Sequence, residues 1–222
     1  MPWLLMQLAD SAFPTGGFAH SGGFEAALQL GEIQGVVGLE KFLSEALWQT
    51  GYGLLPLASA AHENSMGFVE LDELSDAFLT GHVANRASRV QGRTFFSTCL
   101  RSFGVGGNKK LESMDETVRS MSLHQHFAPV FGSVMNALEV DRVSMQRLML
   151  HGSFRTILSA AIRLGVVGPY QAQQVQSRFL GTFNEVLTEC GELEVRDMAQ
   201  TAPLLELFQS THDRLYSKLF QS

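Results

Sequence analysis

Cysteine is nearly absent: only Cys99 and Cys190 occur in 222 residues, and no CxxC or Cys/His spacing accompanies either. That excludes a disulfide framework and a zinc finger, and it suits a reducing compartment. Charge is also sparse, at 17% of residues, and its balance is acidic, with 16 Lys plus Arg against 22 Asp plus Glu. A net charge of -6 repels phosphate backbones, so nucleic acid is not expected as a partner. The N-terminal stretch MPWLLMQLADSAF has neither a basic n-region nor the length of a membrane span, and the chain is expected to be soluble and cytoplasmic. Alternating apolar and polar runs, internal repeats and low-complexity linkers are missing as well.

Apolar residues are plentiful, at 45%, and they recur at helical spacing. Together with the low charge, this implies a covered core and some apolar surface intended for a partner. The spacing predicts an all-α fold, a single-domain bundle of about eight to ten helices over residues 1–222, with a C-terminal partner-binding tail from about 203. The segment from Leu39 to Glu63 puts Leu39, Phe42, Leu43, Leu47, Leu54, Leu57, Ala58 and Ala61 near one face, with Gly51 and Gly53 as bending points. A shorter helix starts at Asp72, taken as its acidic first turn, and runs towards Gly81. Further helices are expected from Ala84 to Phe103, Glu112 to Leu123, Phe127 to Val140, Val143 to Leu164 and Tyr170 to Cys190. Gly165 suits the position after a helix end, Pro203 opens the last helix, and Gly104, Gly106, Gly107 and Asn108 mark a loop.

The most unusual local feature is Phe13-Pro-Thr-Gly-Gly-Phe-Ala-His-Ser-Gly-Gly-Phe-Glu25. Such a loop could present backbone N–H groups to an anion, but it lacks a GK[ST] ending, and close packing through glycine is the favoured reading. Ser11, His20 and Glu25 supply the residue types of a triad without its spacing signature, so no catalytic residue is assigned. His124 and His126 are the sharpest metal candidates among seven histidines, yet no third ligand is near and a surface or capping role is preferred. Arg86, Arg89 and Arg93 share one helical face, either as a basic strip for a carboxylate-rich partner or as a solvated face with internal ion pairs. Leu215, Leu219 and Phe220, beside Lys218, form an apolar ridge expected to dock on a partner rather than on the chain's own core.

Five collinear segments resemble the urease accessory protein UreF, in particular its plant-like branch. They are Leu5 to Glu25, Asn85-Arg-Ala-Ser-Arg-Val-Gln-Gly92, His126-Phe-Ala-Pro-Val-Phe-Gly132, Ala160-Ala-Ile-Arg-Leu-Gly165, and the run from Gln200 through His212 to Ser222. The tail departs from the family pattern at Lys218 and Gln221. The resemblance implies a helical, homodimeric scaffold without catalysis of its own, which binds UreD (UreH in some species) and the GTPase UreG and helps deliver nickel to apo-urease. It implies no directly bound cofactor, the nickel being handled by the complex. Pro14, Gly16, Gly17, Ser21, Glu25, Arg86, Arg89, Arg93, Leu215, Lys218, Leu219 and Phe220 are the partner-binding candidates. A small helical enzyme holding an anionic substrate on the 13–25 loop is the alternative, and nickel carriage by His124 and His126 a third reading.

Overall fold

A computed structural model describes residues 2–104, 107–121 and 123–222, and among them every regular element is helical. In chain order they are α1 (Pro2–Ala9), α2 (Phe24–Gln29), α3 (Gly35–Gly53), α4 (Leu55–Glu63), α5 (Phe68–Phe78) and α6 (His82–Phe103). There follow α7 (Lys109–Ser120), α8 (Phe127–Ala137), α9 (Arg142–Arg163), α10 (Pro169–Arg178), α11 (Leu180–Cys190) and α12 (Pro203–Thr211).

The helix count exceeds the eight to ten expected because two long helices are each broken in two and because α1 and α2 precede the first expected helix. The first break is at Leu54, where Pro56 near the start of α4 cannot continue an N–H ladder from α3. The expected bending glycines, at 51 and 53, lie in the last turn of α3, directly before this break. The second break is at Phe179, whose N–H is shared between the carbonyls of Val175 and Gln176, a tightening that ends α10 and lets α11 start in a new direction. Aromatic packing continues across the break: the Phe154 ring meets Phe179 and Phe183 at centroid distances of 5.1 and 5.1 Å. The α1 and α2 segments were not anticipated. Gly165 does take a left-handed φ of 73° just past α9. Asn108 caps α7 by accepting from the Leu111 N–H, and Gly106 of the expected loop lies outside the described residues.

One apolar core gathers side chains from Leu8 to Phe220. Helix α8 forms its centre, packed between α4 and α6, while α9 lies against α3 and α4, and α11 covers α3. An aromatic cluster joins α6 to α8, with Phe95 5.2 Å from Phe131 and 5.9 Å from Phe127. Both flanks of α8 depend on missing side chains. A Cβ at Gly132 would strike the Ala58 carbonyl of α4, and one at Gly92 of α6 would strike the Gln125 carbonyl just before α8. Both cysteines are buried, and burial pushes the Cys99 thiol up to about 12 and Cys190 to about 11, as befits inert core residues.

Because the obstacle at Gly132 is backbone, α4 and α8 would have to separate to admit even a methyl group. Gly132→Ala should therefore destabilise the fold by about 2 kcal/mol or more, measured as a lowered urea midpoint. Gly152→Ala, with open space at the Cβ position, should not.

Candidate functional site

The Ser21 to Glu25 segment is built from residues that serve the far end of the same chain. Gly23 has φ 86° and starts α2, bringing Glu25 into the interior, where it is 2% exposed. The Glu25 carboxylate accepts the backbone N–H groups of Leu219 (2.7 Å) and Phe220 (3.1 Å) and meets His212 Nε2 at 3.1 Å. Ser222 completes the attachment: its backbone oxygen accepts from the Ser21 N–H (2.5 Å) and the Ser21 hydroxyl (2.9 Å), and its Oγ lies 2.5 Å from His20 Nδ1. Between these points Gln221 N–H donates to the Ala19 carbonyl. The Arg163 guanidinium stacks 4.2 Å from the Phe220 ring and 4.1 Å from Phe18.

This corrects the expectation for the tail. The ridge does not stand free of the chain's own core: after a short turn at His212–Arg214 the chain runs irregularly, and N–H groups of Leu219, Phe220 and Gln221 are satisfied by Glu25 and Ala19. Phe220 is 5% exposed and packs on the chain's own core, whereas Leu219 is 51% exposed and Leu215 half-buried. Lys218 donates to the Asp213 carbonyl. The residue types of the triad are not assembled, since Glu25 faces His212, His20 faces Ser222, and Ser11 is exposed. Pro14, Gly16 and Gly17 line a largely apolar cavity of about 600 Å³ under α1 and the glycine loop, walled by Phe13, Phe78, Phe95, Phe131 and Ile157. Pro14 is fixed there by its carbonyl, which accepts from the Thr98 hydroxyl.

A second polar cluster joins α5, α6 and the start of α8. Asp72 is wholly buried and accepts the N–H groups of His124 (2.7 Å), Gln125 (3.0 Å) and His126 (2.7 Å). It sits inside α5, not in its first turn. His126, also wholly buried, has Nδ1 3.1 Å from the Ser88 hydroxyl and Nε2 3.1 Å from Asp76, so it is neither at the surface nor a side-chain cap. Asp76 further accepts from Asn85 (2.9 Å) and Arg89 (2.5 Å). Among the described residues no group of three or more His, Cys, Asp or Glu is arranged to hold a metal ion.

Two of the three strip arginines are held within the chain. Arg86 grips Asp213 with both terminal nitrogens, at 3.0 and 2.9 Å, and Arg89 holds Asp76. Arg93 is exposed and makes no ion pair among the described residues. The amide of Asn85, with His126 and Arg89, keeps the Asp76 carboxyl well below the usual carboxylate range, and Arg86 lowers Asp213 in the same way. Burial lowers the His126 imidazole despite the opposing pull of Asp76. Asp72, Asp76 and Asp213 were not picked out as site residues, because no local pattern marks an acid whose partner lies as far off as those of Asp72 (52 residues), Asp76 (50 to His126) and Asp213 (127). Asn85, Ser88, Gly92 and His126 do fall inside the quoted motif segments.

Burial, with help from His212 and Arg86, lowers His20 from 6.5 to about 4. A depressed histidine is neutral in the fold while the unfolded chain takes up a proton, so its contribution is complete above pH 6.5 and is lost as pH falls towards 4. That contribution is on the order of 3 kcal/mol. Urea midpoints measured from pH 7 to 4.5 should fall steadily, and His20→Gln should make that dependence shallower.

The UreF family model matches residues 33–180. A protein of Arabidopsis thaliana named urease accessory protein F is 37% identical over 224 residues, covering 100% of this chain and 93% of its own. The Oryza sativa subsp. indica protein of the same name is 33% identical, over 98% of this chain and 84% of its own. A Trichodesmium erythraeum protein named urease accessory protein UreF is 29% identical, over 97% of this chain and 94% of its own. With a family match across most of the chain and plant relatives similar along its whole length, the protein belongs to the UreF family.

Proposed function

We propose that this protein is a non-catalytic urease accessory scaffold, which joins UreD (or UreH) and the GTPase UreG in the complex that delivers nickel to apo-urease. The observation that carries this reading is the similarity to proteins named urease accessory protein F along the whole chain, through both the glycine loop and the tail that docks on it. On this reading residues 1–222 act as one cytoplasmic unit that dimerises, and nickel is cargo of the complex rather than a resident cofactor of this chain.

Helix α1 and the helices near the tail carry the apolar surface that such a scaffold needs. Trp3, Met6, Leu204, Leu207, Tyr216 and Leu219 are all exposed. The tail's contribution divides in two. Phe220 and Ser222 anchor it to the loop, and Leu219, with Leu215 and Lys218 beside it, faces outward for a partner. Ser21 and Glu25 hold the tail in place; Pro14, Gly16 and Gly17 shape the loop beneath it.

The alternatives have less support. An anionic substrate on the 13–25 loop would meet a Ser21 amide already bonded to Ser222 and the nearby Glu25 carboxylate. Nickel carriage at His124 and His126 would need ring nitrogens of His126 that face Ser88 and Asp76, with Arg89 already on that carboxylate.

Leu219→Asp leaves the anchors untouched, so the chain should melt normally but lose recovery of UreD and UreG in a pull-down and fail to support urease activation. Burying a leucine contributes roughly 1.5–3 kcal/mol, at least about tenfold in a dissociation constant. Normal recovery and activation with Leu219→Asp would remove the tail from the partner surface. Loss of recovery together with a lowered melting temperature would instead assign Leu219 to the chain's own packing.

A further inference from the structure

A groove of about 730 Å³ runs along the exposed side of α6 and the end of α5, lined by His82, Arg86, Arg89, Val90 and Arg93 together with Asp76. Three arginines meet two aspartates here, Asp213 on Arg86 and Asp76 on Arg89, so Arg93 is the arginine of the row left without an ion pair among the described residues. The three arginines follow one another at i, i+3 and i+7, so the row spans about 10 Å along the helix. Val90, 39% exposed, supplies an apolar floor between them.

What occupies these groups within the chain tells what they bind. Asp213 lies across the fork of Arg86 and within 3.3 Å of His82 Nε2. Asp76 lies on Arg89, and beside them the Thr80 hydroxyl donates to Glu206 at 2.5 Å. Each filled position is filled by a carboxylate. Arg93 presents the same planar fork, exposed and without an ion pair among the described residues.

We propose that this groove docks an acidic segment of a partner protein, with Arg93 reading one of its carboxylates while Asp213 occupies the place of a second one at Arg86. The identity of the partner rests on the scaffold reading; the groove's chemistry does not. The occupant is read as a carboxylate because a carboxylate is what both ion-paired forks of the row, Arg86 and Arg89, already hold within the chain. Asp213 acts as an internal competitor: it neutralises Arg86 until a partner carboxylate displaces it.

Fluorescence anisotropy with a labelled octaglutamate peptide, at low and at physiological salt, tests this on the purified full chain. The wild type should bind with marked salt dependence. Arg93→Glu should weaken binding by about tenfold or more, while Lys41→Glu, the same charge change on exposed α3 outside the groove, should weaken it far less. Asp213→Asn should tighten binding a few-fold by freeing Arg86. Equal weakening by Arg93→Glu and Lys41→Glu would reduce the effect to the general field and overturn the proposal. So would an absence of peptide binding at low salt, or binding of an oligonucleotide of equal charge in place of the peptide. Pull-down of UreD and UreG with Arg93→Glu separates the two readings. Lost peptide binding with full recovery of both upholds the groove and takes it out of that assembly, whereas retained peptide binding by Arg93→Glu refutes the groove whatever is recovered.

Discussion

Three consecutive backbone N–H groups, those of His124, Gln125 and His126, have no helix or strand to join, and the carboxylate of Asp72 takes all three. Much of the structure hangs from that contact. Burying a carboxylate costs several kcal/mol, and hydrogen bonds to a charged group return roughly 1.5–3 kcal/mol each, so three bonds offset the cost where one would not. With the turn fixed, Gln125 is held at φ 62° and its carbonyl meets α6 at Gly92. His126 then enters the space between α5 and α6, and its two ring nitrogens bring together Ser88 and Asp76. The orientation of Asp76 decides where Arg89 lies. A buried turn before α8 thus sets the charge pattern on the outer face of α6.

Glu25 applies the same physics to the tail. It is a carboxylate on a short helix that accepts backbone N–H groups from residues 194 and 195 positions away. Helical proteins satisfy most of their polar backbone within each helix, so the remaining non-helical segments are the ones that need side-chain partners when buried. The two anchors differ in what surrounds them. The 124–126 turn is enclosed by α5, α6 and α8, whereas the tail's approach through Tyr216, Ser217 and Lys218 is exposed. Opening the tail would expose Phe220 and strip the buried Glu25 carboxylate of the two N–H groups it accepts from Leu219 and Phe220.

Helix type and most helix ends were legible in the sequence, because apolar spacing is a local signal: the buried face of α3 at Leu39, Phe42, Leu43 and Leu47 falls where the spacing puts it. The two breaks were not. Leu54 sits inside an unbroken apolar pattern, and only Pro56 two residues later marked it; Phe179 belongs to the stripe on both sides of its own break. Acidic residues were harder still. Asp72 has the composition of a helix start, and nothing near it in the chain reveals three amides more than 50 residues away. The tail was misread for a related reason. Leu215, Leu219 and Phe220 read as an apolar ridge for a partner, and the residue that draws Phe220 onto the chain's own core, Glu25, lies at the other end of the sequence. The motif segments found the site better than the spacing did, since Asn85, Ser88, Gly92 and His126 converge in space.

Asp213 joins the two halves of the site, and this limits how independent they can be. It accepts both terminal nitrogens of Arg86 on α6, and it belongs to the short turn that leads into the docked tail, where Lys218 also reaches it at 3.8 Å. His212, the neighbouring residue, is held by Glu25. A carboxylate that displaces Asp213 from Arg86 therefore removes one support of the turn, and a partner that draws the tail away removes the carboxylate that neutralises Arg86. By linkage each event favours the other, by no more than the free energy of the shared contact. That contact is partly exposed, so the coupling is small at physiological salt. It is also directional in what it permits. A partner presenting acidic groups to α6 and an apolar pocket to Leu219 would gain at both places, whereas one presenting basic groups to α6 would meet repulsion there even with the tail released.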